Sequence, residues 1–304
     1  MGVDARIVVY APDQTTAENG CTAAFARMAE LDTMMSDYRK TSELMRLCDK
    51  AGGPPVKVSP ELFLVLNRAQ EVSKLTDGLF DVTIGPLVQL WRKARKVGVA
   101  PTEAEVAAAR KLVGWKKIKL DAKAGTVQLT TPGMKLDLGA IAKGYADDEA
   151  QKALKKFGIS HALVEMGGDI VVTSPPPGTK GWTIRVPNAE NGSGEKEMLF
   201  KDCAISSSGD TEQFVMIGNV KYSHVINPKT GLALHEGVQA TVICPDGITA
   251  DSLSTAFTLV RGRGRARLMK AYPGITEFVR VLSFNTRAVS FRASERDIVR
   301  PRLA

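Results

Sequence analysis

Two oxygen-bearing side chains four residues apart are the first candidates for binding a metal. Asp251 and Thr255 fall in a segment that predicts a helix, and residues four apart on a helix share a face. A carboxylate and a hydroxyl are hard oxygen donors of the kind that Mg²⁺ prefers, with waters and phosphate oxygens completing its octahedron. The pair therefore indicates a magnesium site. An acid near a helix start and a threonine bonded within its own helix would also account for it.

A second candidate is the junction between a strand and a helix at residues 136–146. Asp137 ends a predicted strand, Gly139 follows, and a helix is predicted from about Ile141. The first turn of a helix presents free amide donors and the positive end of the helix dipole, which suits a phosphate. Lys143 adds a positive charge there. The segment is not a Walker loop, and junctions of this kind are common, so an ordinary turn is the alternative.

His224 is the candidate for acid–base chemistry. It follows a predicted strand and precedes a tight turn at 227–231, where Gly231 supplies a positive φ. Histidine is the side chain that exchanges a proton most readily near neutral pH. A purely structural role in anchoring the turn is the alternative.

Three further segments combine glycine with polar side chains. In residues 77–86, Gly78 and Gly85 bracket a predicted extended stretch, where the backbone could approach a flat ligand closely. Residues 204–209 are rich in serine, and residues 165–169 carry two acids around two glycines. Each segment is either a wall of a ligand site or a structural turn or loop.

The elements that would hold these groups are mixed in type. Helices are predicted from hydrophobic periodicity, from Pro60 at a helix start, and from a capping box formed by Thr102 and Glu105. The predicted ranges are 15–35, 60–75, a segment after 102, a segment after 250, and 265–272. Predicted strands are 5–10, 116–120, 126–130, 162–173, 182–186, 239–244 and 277–282. Because the strands cluster and do not alternate regularly with helices, the fold class is α+β. We expect one compact unit over residues 1–304, with one or two lobes.

Composition narrows the classes of partner. The 304 residues carry a net charge of +8, which suits anionic ligands. The dense basic cluster of Arg261, Arg263, Arg265 and Arg267 lacks interleaved aromatic residues, so we expect a solvent-exposed turn between two helices and no nucleic-acid partner. The four cysteines are far apart and form no CxxC pair, which argues against a zinc site or a redox dithiol.

The order of these segments resembles the ApbE family of FAD:protein FMN transferases. The matching segments, in the family's order, are Met1-Gly2, Met35–Arg39 with Ser42, Phe80–Leu87, Asp137–Tyr145, Gly167-Gly168, Ser223–Pro228 and Ala250–Asp251 with Thr255. The resemblance spans residue 1 to about residue 285. It implies a single ApbE-type or T-fold-like domain in which helices flank mixed strands.

The resemblance also implies roles for individual residues. FAD would be contacted by Met1, Tyr38, Leu79, Phe80, Asp81, Asp137 and Ile226. Mg²⁺ would be held by the Ala140 carbonyl and the side chains of Asp251 and Thr255, and His224 would lie near the reacting phosphate. Three positions depart from the family pattern: Val3 stands for threonine after the opening Met-Gly, Asn227 stands for aspartate and Ser207 for threonine.

The implied reaction transfers FMN from FAD to a threonine or serine hydroxyl of an acceptor protein and releases AMP. With water as the nucleophile, the same site would act as an FAD pyrophosphatase, and a non-catalytic flavin-binding protein is a third alternative. The family further implies a bacterial lipoprotein on the periplasmic side of the inner membrane, with its signal absent from this sequence. Its acceptor would belong to a membrane electron-transfer system. Self-association into a homo-oligomer is left open.

Overall fold

The computed structural model of the chain describes residues 2–187, 194–209, 214–218, 220–235, 237–281, 289–292 and 300–303. Its helices are α1 (Gln14–Met35), α2 (Glu43–Asp49), α3 (Pro60–Leu75), α4 (Gly85–Val97), α5 (Glu103–Arg110), α6 (Ala142–Lys155), α7 (Gly247–Leu259) and α8 (Gly262–Ala271). Two short 3₁₀ turns cover Val82–Ile84 and Trp115–Lys117. Within the described ranges, no helix is long and apolar enough to cross a membrane.

The strands are short and pair antiparallel. They are β1 (Ala5–Tyr10), β2 (Val56–Lys57), β3 (Ile118–Asp121), β4 (Thr126–Leu129), β5 (His161–Met166), β6 (Asp169–Val172), β7 (Trp182–Pro187), β8 (Glu195–Phe200), β9 (Cys203–Gly209), β10 (Phe214–Ile217), β11 (Val220–Ser223), β12 (Val238–Cys244), β13 (Thr276–Val281), β14 (Val289–Arg292) and β15 (Arg300–Leu303). The largest sheet has the order β1-β5-β6-β9-β12-β13. Strands β2, β4 and β3 form a second sheet, and three hairpins pair β7 with β8, β10 with β11, and β14 with β15.

The main sheet separates two apolar clusters. On one face, buried residues of the sheet pack with α1, α3, α6 and α7 in a cluster that runs from Ala24 to Ile275. On the other face, Leu163 and Ile205 pack against the β7–β8 hairpin through Trp182 and Phe200. Alternate residues of a strand point to opposite faces, which explains why Val164 and Leu163 belong to different clusters. The α+β class predicted from the sequence is confirmed, while the division into one domain or two lobes stays a prediction.

A third, smaller cluster lies apart from the main sheet. It joins Leu87 and Trp91 of α4 and Val106 of α5 to Ile226 and Ala233, which form an isolated β-bridge. This cluster carries the segment that follows β11, and therefore it positions His224.

Local signals explain the helix starts that the sequence predicted. Ser59 accepts a hydrogen bond from the Leu62 amide at 3.2 Å and caps α3, whose first residue is Pro60. Thr102 and Glu105 form the expected capping box, with the Thr102 amide donating to Glu105 at 2.9 Å. These helices begin at or within one residue of the predicted starts.

The predicted extended stretch between Gly78 and Gly85 is wrong. Asp81 caps the 3₁₀ turn through a 2.9 Å hydrogen bond from the Thr83 amide, and α4 begins at Gly85. Pro86 fits the first turn of a helix because its missing N–H has no partner there in any case. A Cβ at Gly85 would lie 2.6 Å from the Lys135 carbonyl oxygen, so glycine is needed for the approach of two backbones.

Two other predictions are corrected. The predicted strand 162–173 is a hairpin of β5 and β6, because Gly167 and Gly168 adopt φ values of +59° and +90° and reverse the chain. The basic cluster is largely helical, since α8 begins at Gly262 and packs through the buried Leu268. Arg265 on this helix pairs with Glu277 of β13.

Candidate active site

The N-terminal halves of α6 and α7 are hydrogen-bonded to each other. The Gly144 amide donates a 3.1 Å hydrogen bond to Asp251 Oδ2, and in return Asp148 accepts the amides of Gly247 at 2.7 Å and Ile248 at 3.0 Å. Between them the backbones touch, since a Cβ on Gly144 would lie 2.0 Å from the Gly247 carbonyl oxygen. The two candidate segments predicted separately from the sequence are therefore one structural unit.

The ammonium group of Lys143 lies at the centre of this unit. It contacts three oxygens: the Gly139 carbonyl at 2.8 Å, Asp251 Oδ1 at 2.9 Å and Asp169 Oδ2 at 3.0 Å. Burial alone would lower the pKa of Lys143, but the carboxylates of Asp169 and Asp251 outweigh it and raise the pKa above its ordinary value. Lys143 is a fixed cation at the start of α6.

Asp251 is almost completely buried, at 1% relative exposure. Burial and the neighbouring Asp169 raise the pKa of Asp251 to about 7, and Lys143 and the Gly144 amide counteract this rise only in part. A divalent cation would favour the ionised form of this carboxylate, as would any added positive charge.

A chain of hydroxyl groups links Asp169 to Thr255. Ser206 of β9 donates to Asp169 Oδ1 at 2.5 Å and lies 2.9 Å from the Ser254 hydroxyl. Ser254 lies 3.0 Å from the Ser208 hydroxyl, which in turn lies 2.8 Å from Thr255 Oγ1. The serine-rich segment is thus a strand packed against α7, and it forms a wall beside the two predicted metal ligands.

Asp147 is a buried acid that sequence reasoning missed. It is fully buried, and neither of its carboxylate oxygens has a hydrogen-bond partner within the part of the chain that the structure describes. Burial, reinforced by the charges of Asp169 and Asp251, raises the pKa of Asp147 well above its ordinary value. Its only sequence signal is its place one helical turn after Lys143.

Two predicted FAD contacts meet at Arg92, which the sequence did not suggest. Arg92 Nη2 donates to Asp137 Oδ2 at 3.1 Å, and its guanidinium carbon lies 4.2 Å from the centroid of the Tyr38 ring. Asp137 Oδ1 also accepts the Gly139 amide at 2.8 Å. Burial and the charge of Asp37 raise the pKa of Asp137, while Arg92 lowers it. Arg92 could not be found because α4 itself was not predicted.

The remaining predicted FAD contacts are placed differently. Leu79 is half-buried against the main cluster, and Phe80 is a core residue at 3% exposure whose amide donates to Thr76 Oγ1 at 3.1 Å. The Phe80 side chain is therefore part of the packed core. Met1 lies outside the described residues.

The carboxylate of Asp81 is fixed by hydrogen bonds from neighbouring residues. One carboxylate oxygen accepts the Thr83 amide and hydroxyl, and the other accepts the Trp115 amide at 2.8 Å. Burial raises the pKa of Asp81, and these hydrogen bonds lower it only in part. Asp81 lines a cleft of about 450 Å³ that also includes Asp77 and Lys229, whose side chains form a 2.7 Å ion pair. The cleft thus joins residues 77–86 to the turn after His224.

His224 is half-buried between β11 and the bridge formed by Ile226 and Ala233. Ile226 is buried in the small apolar cluster with Trp91, whose indole N–H donates to the Gly231 carbonyl at 2.9 Å. The segment around His224 is therefore anchored on α4.

Two departures from the family pattern are accommodated locally. Asn227 Oδ1 accepts the Lys229 amide at 2.9 Å, and the Gly231 amide donates to the Asn227 carbonyl at 2.7 Å. The amide oxygen of asparagine serves this turn as a carboxylate would. Ser207 lies 2.7 Å from the Thr241 hydroxyl on the paired strand β12.

The donor set suits a hard cation. Among the described residues, no group of three or more His, Cys, Asp or Glu side chains could hold a metal, so a site would depend on backbone and hydroxyl oxygens. Gly139, next to the predicted ligand Ala140, and Asp251 already share one cation, the Lys143 ammonium. Thr255 follows Asp251 by one helical turn. Oxygens that stabilise an ammonium also fit Mg²⁺, and nothing in this set favours a softer metal.

Comparisons with known proteins identify the family of this chain. Residues 1–279 match the ApbE family. The chain is 33% identical over 243 residues to the FAD:protein FMN transferase of Vibrio cholerae, covering 78% of this chain and 72% of that protein. It is 30% identical over 268 residues to the enzyme of the same name from Treponema pallidum, covering 83% and 74%.

Solved structures give the same result. The ApbE protein from Thermotoga maritima superposes with a TM-score of 0.79 at 31% identity, over 91% of each chain. The flavin transferase ApbE from Vibrio cholerae superposes with a TM-score of 0.77 at 28% identity, over 100% of this chain and 94% of that one. With the family match extending over most of its length, this chain belongs to the ApbE family.

Proposed function

We propose that this chain is a Mg²⁺-dependent flavin transferase, which moves the FMN part of FAD to a threonine or serine hydroxyl of an acceptor protein and releases AMP. Family membership and the names of the relatives support flavin transfer. One observation carries the proposal: Tyr38 and Asp137, the proposed FAD contacts, are joined through Arg92 and Lys143 to Asp251, the proposed metal ligand, by a continuous run of contacts.

The reaction requires attack on an anionic pyrophosphate. The acceptor hydroxyl oxygen forms a bond to the phosphorus of the FMN half, and the bond from that phosphorus to the oxygen of the AMP phosphate breaks. The hydroxyl proton passes to His224, and AMP leaves with the bridging oxygen. Positioning and stabilisation of charge account for most of the catalysis of such transfers.

The residues of this chain arrange that stabilisation. Lys143 keeps its proton because Asp169 and Asp251 raise its pKa, and its ammonium group holds the Asp251 carboxylate beside the Gly139 carbonyl. The positive end of the α6 dipole lies at the same place and favours an anionic phosphate. Mg²⁺, when held by the Ala140 carbonyl, Asp251 and Thr255, would neutralise phosphate oxygens and stabilise the leaving group.

The acceptor is proposed to be a protein of a membrane electron-transfer system. The chain itself would be a lipoprotein on the periplasmic side of the bacterial inner membrane. Support for both comes from the resemblance of the sequence motifs to the family. Fractionation of cells that produce the full-length protein tests the placement, since recovery in the cytoplasmic fraction contradicts it.

The function is tested by incubating the protein with FAD, Mg²⁺ and a candidate acceptor, followed by intact-mass measurement. Transfer is expected to raise the acceptor's mass by one FMN less one water, with AMP released in equal amount. Free FMN and AMP with an unmodified acceptor would identify a pyrophosphatase. Intact FAD that stays bound would identify a flavin-binding protein without catalysis.

A further inference from the structure

Arg92 stands at the centre of a polar cluster beside the candidate site. One arm of its guanidinium group pairs with Asp37, the other donates to Asp137 Oδ2 at 3.1 Å, and its carbon lies 4.2 Å from the Tyr38 ring centroid. The Arg92 side chain is 27% exposed, whereas Tyr38 is 66% exposed. The arginine is thus largely covered by the groups that it contacts, and the ring above it is open.

The chemistry of arginine fits this position closely. A guanidinium is planar and carries its donors in a rigid fork, so it can bond two carboxylates while its face stacks on an aromatic ring. Lysine, a point charge without a flat face, cannot do both at once. Arg92 covers one face of Tyr38 and leaves the opposite face for a flat ligand.

Through Asp137, Arg92 is also connected to the turn before α6. Asp137 accepts both Arg92 and the Gly139 amide, and the Gly139 carbonyl accepts the Lys143 ammonium. The orientation of the Asp137 carboxylate, and with it the turn before α6, therefore depends on Arg92.

We infer that Arg92 is a positioning residue for FAD, which holds Tyr38 and Asp137 in the arrangement that receives a flat ring of the substrate. This inference rests on the proposed function, because it takes FAD as the ligand. The competing explanation is that Arg92 only ties α4 to the loop that follows α1.

The test is a titration of FAD fluorescence with wild-type protein, Arg92→Met, Arg92→Lys, Tyr38→Ala and the double variant R92M/Y38A. Losing a charge-assisted hydrogen bond and a cation–π contact is expected to raise the Kd of R92M about tenfold. R92K should fall between R92M and wild type. Lys96→Met, which removes a charge from an exposed position of the same helix, should leave the Kd within about twofold of wild type.

Comparing the effect of R92M in the wild-type and Y38A backgrounds distinguishes a positioning role of Arg92 from a purely structural one. If Arg92 acts through Tyr38, adding R92M to Y38A should raise the Kd by less than about threefold, because the shared interaction is already lost. Equal factors in both backgrounds, or an unchanged Kd in R92M, would overturn the inference.

Stability is controlled separately, because R92M removes the arginine partner of both Asp37 and Asp137. Thermal melting is measured for every variant. If R92M melts early, R92K is used in its place, because it keeps the positive charge. A Kd of R92K within about twofold of the wild-type Kd would also overturn the inference. Failure of the wild-type protein to bind FAD is a distinct result, since it refutes the proposed function itself.

Discussion

Asp251 and Gly144 are joined by a 3.1 Å hydrogen bond from the glycine amide to Oδ2, while the other carboxylate oxygen holds the Lys143 ammonium at 2.9 Å. The proposed metal ligand is therefore also a structural link between α6 and α7. Substitutions of Asp251 should affect both stability and transfer, and the two effects can be separated by the choice of variant.

Asp251→Ala is expected to reduce FMN transfer by at least about 100-fold, the scale of losing a major charge-stabilising group. It should also lower the melting temperature, because removing one partner of a buried ion pair costs about 3–5 kcal/mol. Asp251→Asn keeps an oxygen for the Gly144 amide and should melt closer to wild type while transfer remains lost. Asp4→Asn, at an exposed position, is the matched control. Near-normal turnover by D251N would move the metal site elsewhere.

Transfer should require a divalent metal, and Mg²⁺ should suffice, because the proposed donors are all oxygens. Protein stripped of metal and assayed in excess EDTA should yield no modified acceptor by intact mass, and added Mg²⁺ should restore it. Thr255→Val should raise the Mg²⁺ concentration needed for half-maximal rate, whereas Thr255→Ser should not. Full transfer in EDTA would refute the metal requirement.

His224→Ala should slow transfer by about 10²–10⁴-fold, the usual contribution of a positioned general base, with FAD affinity within a few-fold of wild type. The wild-type rate should rise with pH, because a base must lose its proton before it can accept one from the acceptor hydroxyl. The pH–rate curve and FAD titration of both proteins provide the measurement. Lost affinity with an unchanged pH dependence would make His224 a support of the turn and assign the base to a carboxylate.

The stability of the fold should depend on pH through Asp148. Burial raises the pKa of Asp148 to about 6, although it accepts the Gly247 and Ile248 amides. Between about pH 4 and 6 the folded state then binds more protons at this group than the unfolded state does, so its contribution to the free energy of unfolding falls as pH rises.

Asp148→Asn removes that contribution. The difference in unfolding free energy between wild type and D148N should change by about 1–3 kcal/mol from pH 4.5 to pH 7, with wild type relatively more stable at the lower pH. Urea unfolding at the two pH values measures it. A constant difference would show that Asp148 titrates normally in the folded protein.

The sequence was sufficient to predict the features that depend on residues close together in the chain. Pro60, and Thr102 with Glu105, mark two helix starts, and both predictions are confirmed. The α+β class followed from the clustering of strands. These signals depend on neighbours in the chain, so no tertiary information is needed to interpret them.

What the sequence could not predict depends on contacts between distant segments. Helix α4 was missed because Gly85 and Pro86 resemble a turn, and glycine at 85 is explained only by the approach of the Lys135 backbone. Arg92 and Asp147 were missed as a result of the same limit: the partners of Arg92 lie on other elements, and the burial of Asp147 depends on the packing of the whole fold. The roles assigned to Ala140, Thr255, His224 and the FAD contacts stay predictions.

The contact between Gly144 and Gly247 has a consequence for how this site can vary. A methyl group on Gly144 would lie 2.0 Å from the opposite carbonyl oxygen, well inside the normal contact distance, and that oxygen belongs to the backbone. One helix would have to slide away from the other by more than the roughly 0.5 Å within which a working site must be held. The distance between Lys143 and Asp251 is therefore set by direct contact between the backbones of Gly144 and Gly247. In a library of random variants, we expect many neighbouring side chains to be replaceable, whereas even alanine at position 144 should not be tolerated.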